Sequence, residues 1–70
     1  MSHKLPVISG KELIKTLCHH GAVVRRIRGD HVILQREDQS FAVPLHNELK
    51  KGTLVSILKQ AKLDPDIFET

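Results

Sequence analysis

Seventy residues, 40% of them hydrophobic, with a formal net charge of +3, describe a single small domain spanning residues 1–70. A chain of this size buries only about 60% of its unfolded surface, which excludes a large internal cofactor pocket, and with two Phe, no Trp and no Tyr the core has to be built from Leu, Ile and Val. The single cysteine excludes an internal disulfide and a Cys-rich zinc site. No stretch approaches the roughly 18 apolar residues of a membrane span, and Met1-Ser2-His3-Lys4-Leu5 has no apolar leader core. The expected setting is the reducing cytoplasm, with no cofactor, no metal and no membrane association.

The charge is unevenly spread. Residues 1–36 carry seven Lys or Arg against two acids, while residues 37–70 carry four against six. The excess concentrates around Arg25, Arg26, Arg28 and Arg36, and a cationic patch of this kind attracts a polyanion, most commonly nucleic acid.

In chain order, Ser9-Gly10-Lys11-Glu12 forms a capping box, so a first helix should run from Gly10 to His20. Leu13, Ile14, Leu17 and Cys18 make its apolar face, which predicts a buried Cys18, and Gly21 follows as the terminating residue. His19 and His20 sit where they complement the helix dipole.

Two β-rich runs follow, residues 22–28 and 31–36, separated by Gly29-Asp30. A glycine at the first central position predicts a two-residue II′ hairpin. Arg28 then opposes His31, Ile27 opposes Val32, Arg26 opposes Ile33 and Arg25 opposes Leu34. One face collects Val23, Arg25, Ile27, Val32, Leu34 and Arg36 and should be the core face; the other collects Val24, Arg26, Arg28, His31, Ile33 and Gln35. A third strand, residues 41–44, follows the turn Glu37-Asp38-Gln39-Ser40, and pairing Phe41 with Arg36 puts Phe41 and Val43 on the core side.

Leu54, Ile57, Leu58 and Ala61 mark a second amphipathic helix from Gly52 to Lys62, with Thr53 a candidate cap. Asp64-Pro65 should open a short turn that docks Ile67 and Phe68. The expected architecture is α+β, an α-β-β-β-α chain with both helices on one face of a three-stranded antiparallel sheet.

The open face then carries Arg26, Arg28 and His31 together. Histidine, with an ordinary pKa of about 6.5, serves as general acid or base near neutrality, and guanidinium groups suit phosphate contacts. RNA can be cleaved by such a set, because a base takes the 2′-hydroxyl proton, cations stabilise the phosphate and an acid protonates the leaving oxygen. Lys50 and Lys51, at the start of the second helix, are further candidates for phosphate, and His46, in the loop after the third strand, is the candidate second acid or base.

Three stretches resemble the HicA family of messenger-RNA interferase toxins. They are the first helix with Gly21 and a Val-rich strand; Arg28-Gly29-Asp30-His31; and Val43-Pro44-Leu45-His46 followed by Glu48-Leu49-Lys50-Lys51-Gly52-Thr53-Leu54 and Ile57-Leu58-Lys59-Gln60-Ala61. The resemblance implies a double-stranded-RNA-binding-like fold, endoribonuclease action on messenger RNA within a toxin-antitoxin system, a HicB-type antitoxin as partner, and His31 as the active histidine. Two positions depart from the family. Asp30 stands where Ser or Thr is frequent and would repel phosphate. Lys62 replaces a frequent Gly, which bears on the helix end more than on the chemistry. Two other functions fit the same residues: a noncatalytic double-stranded-RNA-binding module, and a protein-interaction domain using Val24 and Ile33.

Overall fold

The computed structural model describes residues 5–68; the segment Met1–Lys4 read for a leader lies outside them. Ser9 caps the first helix, α1 (Gly10–His19), by a complete capping box. Its Oγ accepts from the Glu12 amide at 3.1 Å, and the Glu12 carboxylate accepts from the Ser9 amide at 3.1 Å. The bond donated by the Ser9 amide, and after it the nearby Ser9 hydroxyl, hold the Glu12 carboxyl below its ordinary pKa.

Three strands follow, β1 (Val23–Arg28), β2 (His31–Arg36) and β3 (Gln39–Pro44), in an antiparallel sheet of order β1-β2-β3. The second helix, α2 (Lys51–Ala61), and a short 3-10 turn, Pro65–Phe68, complete the chain. The predicted α-β-β-β-α topology is the observed one.

The core is a single layer between helices and sheet. Leu13 and Leu17 of α1, together with Leu54, Ile57, Leu58 and Ala61 of α2, meet Val32, Leu34, Phe41 and Val43 of the sheet. Both helices pack against β3, and Ile67 and Phe68 dock partly buried against this layer, as Asp64-Pro65 predicts. Gly10 permits a close approach of α1 to the end of β3: a Cβ there would overlap the Pro44 carbonyl oxygen.

Around the Gly29-Asp30 turn the predicted pairs stand: Arg28 opposite His31, Ile27 opposite Val32, Arg26 opposite Ile33. Gly29 has φ +61, the left-handed value that a II′ turn requires at this position. Beyond Arg26 the prediction fails. A β-bulge at Arg25 adds one residue, so Val24, not Arg25, opposes Leu34 and Val23 opposes Gln35. Val23 and Val24 thereby exchange faces.

The expectation that Val23 and Ile27 belong to the core is also corrected. Val23 is 50% exposed and Ile27 66%, and every residue of β1 is exposed. The helices pack mainly on β3, at the opposite edge of the sheet, and so leave β1 largely uncovered.

The second turn is tighter than expected. It is the two-residue Glu37-Asp38, with Glu37 at φ 56, so β3 begins at Gln39 and Phe41 pairs with Leu34 rather than Arg36. Because the shift is two residues and side chains alternate with period two, Phe41 and Val43 still face the core.

Three further corrections concern the helices. Cys18 is exposed, not buried. With α1 covered on one side only, the stripe of Gly10, Leu13 and Leu17 is buried, and Cys18 lies about 100° around the helix from Leu17. The N-cap of α2 is Lys50 without a side-chain cap, so Thr53 does not cap it. Finally, Arg36 does not join the cationic patch. Its side chain lies on the helix side, where Nε donates to the His20 carbonyl at 2.7 Å and Nη1 to the Ala61 carbonyl at 3.0 Å. One guanidinium thus caps the C-terminal ends of both helices, where the macrodipoles favour a cation.

Candidate catalytic histidine and nucleic-acid interface

The β1-β2 hairpin places His31 as the first residue of β2, directly across from Arg28, with Arg26 two residues further along the same face. Val32, its neighbour, points into the core. His31 therefore stands on the face without helices, its side chain half exposed, and Arg26 and Arg28 are exposed beside it. Among the described residues no acidic side chain pairs with Arg25, Arg26 or Arg28, the ion pairs being His31–Asp30 and a long Arg36–Glu37 contact of 3.9 Å.

Asp30, the acidic neighbour of His31, touches it directly. Its Oδ1 lies 2.9 Å from Nδ1 of His31, while its backbone carbonyl accepts from the Leu45 amide at 2.7 Å. Within a strand, successive side chains point to opposite faces and do not touch; Asp30 belongs to the turn, which breaks that alternation. Spacing alone therefore gave no sign of this contact.

The bond from Leu45 brings the loop after β3 alongside the hairpin tip. Pro44 pairs with His31 across the sheet, and His46 follows two residues later, exposed, with its carbonyl accepting from the Gly10 amide at 2.9 Å. His46 is thus in the loop that borders the turn, and no hydrogen bond joins its ring to His31 among the described residues. Lys50 and Lys51 are exposed at the start of α2, which belongs to the helix side of the sheet. The fold gathers Arg26, Arg28 and His31 on the open face and puts the two lysines in the opposite layer. No three His, Cys, Asp or Glu side chains among the described residues come together as a metal-ligating group, and no described helix is long and apolar enough to cross a membrane.

The family model for the HicA toxin of bacterial toxin-antitoxin systems matches residues 10–63, from the first residue of α1 to the residue after the α2 cap. This chain belongs to the HicA toxin family. The match runs across both helices and all three strands, so the HicA assignment covers the whole site. Among solved structures, a chain of a toxin-antitoxin complex from Streptococcus pneumoniae is 34% identical, with a TM-score of 0.70, covering 80% of this chain and 98% of that one. No curated protein matches. Lys62, where the HicA resemblance places a frequent Gly, has φ 58 and ψ 43, the left-handed conformation that favours glycine.

Proposed function

We propose that this HicA-family chain is a metal-independent endoribonuclease acting on messenger RNA in the cytoplasm, with His31 as its general acid or base. The observation that carries the proposal is an accessible imidazole on the face that also presents Arg26 and Arg28. The 2′-hydroxyl gives up its proton to a base, its oxygen bonds to phosphorus, and the bond to the 5′ oxygen breaks and takes up a proton. The products are a 2′,3′-cyclic phosphate and a 5′-hydroxyl. His31 serves one of these proton transfers, and His46, in the adjoining loop, is the candidate for the other. Arg26 and Arg28 hold the phosphate and stabilise its developing charge, and Lys50 and Lys51 would contact RNA that extends around the sheet.

The partner is a HicB-type antitoxin, and the Streptococcus pneumoniae relative, solved in a toxin-antitoxin complex, supports that expectation. General acid or base catalysis contributes about 10²–10⁴-fold. His31→Ala should therefore lower RNA cleavage, measured in the presence of EDTA, by at least about 10²-fold and abolish growth arrest on induction. Unchanged cleavage by that variant would remove His31 from the chemistry. RNA binding with no product from the native protein would leave a noncatalytic RNA-binding module on the same face.

A further inference from the structure

We infer that Asp30 is a positioning residue that commits His31 to act through Nε2. The inference rests on the proposed role of His31 and concerns a residue at which this chain departs from the family pattern.

A backbone contact and the turn itself position the aspartate. Its carbonyl is held by the Leu45 amide at 2.7 Å, so the backbone that carries the side chain is tied to the loop after β3 and cannot swing as a free hairpin tip. Gly29, at φ +61, supplies the left-handed step of the two-residue turn in which Asp30 is the second residue. From that anchored position Oδ1 reaches Nδ1 of His31 at 2.9 Å.

An ionised carboxylate only accepts hydrogen bonds, so the nitrogen facing it carries the proton. In the neutral ring this leaves the lone pair on Nε2, the nitrogen turned away from Asp30. That atom can take the 2′-hydroxyl proton; after protonation, the same N–H can give a proton to the leaving oxygen. A carboxylate that orients a histidine in this way selects its tautomer and stabilises the imidazolium that forms during proton transfer. Both groups are largely exposed, with side-chain accessibilities of 50% for His31 and 67% for Asp30. The negative charge near the scissile phosphate is then the cost of an oriented base, and Arg26 and Arg28 on the same face offset it.

The test uses the full chain and two variants. Nitrogen-15 NMR of His31 without RNA, at a pH where the ring is neutral, should show the proton on Nδ1 in the native protein. In Asp30→Ala the proton should move predominantly to Nε2, and Asp30→Asn, whose amide can turn an N–H donor toward Nδ1, should also lose the native tautomer while keeping the shape of the side chain. In cleavage assays Asp30→Ala should lower kcat at least about tenfold with KM unchanged or reduced, and Asp30→Asn should show a loss of the same order. An Nε2-protonated ring in the native protein, or the same tautomer in native and Asp30→Ala, overturns the inference. So does a changed tautomer with unchanged kcat. Because the tautomer is read without RNA, it remains informative if His31→Ala retains activity, which would sink the catalytic reading and not the orienting contact.

Discussion

Replacing Arg36 with methionine should cost this small domain much of its stability while leaving its open face intact. Methionine keeps most of the aliphatic stem and removes only the guanidinium, so the loss reports the two bonds from Nε to the His20 carbonyl and from Nη1 to the Ala61 carbonyl. Hydrogen bonds to charged groups contribute about 1.5–3 kcal/mol each. The bond to His20 is exposed and falls below that range, at about 1 kcal/mol, whereas the one to Ala61 is part-buried and should contribute about 2 kcal/mol. The sum of about 3 kcal/mol corresponds to a fall in Tm of about 12–24 °C for a domain of this size. Urea denaturation followed by circular dichroism gives the free energy, and a thermal scan gives the Tm. Arg36→Lys, which keeps the charge but has no rigid fork to span two carbonyls, should recover less than half of the loss. If Arg36→Met loses under about 0.5 kcal/mol, within the range of an ordinary surface substitution, Arg36 is one more surface cation and the shared cap has no energetic meaning.

Two further outcomes concern the ends of the fold and its open face. Lys62→Gly should raise stability by about 0.5–1 kcal/mol, since relief of a left-handed lysine is partly cancelled by the greater freedom of glycine in the unfolded chain; a lower urea midpoint at unchanged slope would contradict it. Arg28→Ala should weaken RNA binding and reduce the slope of log K against log salt by about one phosphate contact, whereas Arg36→Met should leave that slope unchanged; equal effects from both would mean that the two faces are not distinguished by RNA.

Much of the fold could be read from local chemistry. The capping box, the II′ turn and the stripe of α2 each depend on a few neighbouring residues, and each is present. What could not be read depends on how layers sit. A bulge at Arg25 leaves no mark in a run such as Val23-Val24-Arg25-Arg26, where apolar and basic residues do not alternate. The exposure of Val23 and Ile27 follows from helices centred over β3, a tertiary fact. The Glu37 turn was hidden because an ordinary L-residue occupies a left-handed position, where turn rules look for Gly, Asn or Asp. On the candidate site, His31, Arg26 and Arg28 were placed correctly because their register is set by the two residues beside them. For Arg36 the two readings differ: the hairpin register puts it on the helix side, as observed, whereas charge counting groups it with the patch because a count does not say which cations are engaged. Asp30 is legible in the sequence as a charge beside both His31 and the phosphate, but the contact itself is not, because contact between adjacent residues depends on the turn's geometry.

The bulge at Arg25 has a consequence for how copies of this protein meet. An uninterrupted β1 would offer an open row of backbone donors and acceptors along six residues, on which another chain could template a strand. The extra residue breaks that row after Val24, increases the local twist and leaves the arginine-rich half out of step with the half before it. Two such edges brought together would face like charges and mismatched ladders. The exposed valines of the edge strand can therefore remain uncovered without inviting the stacking of identical chains.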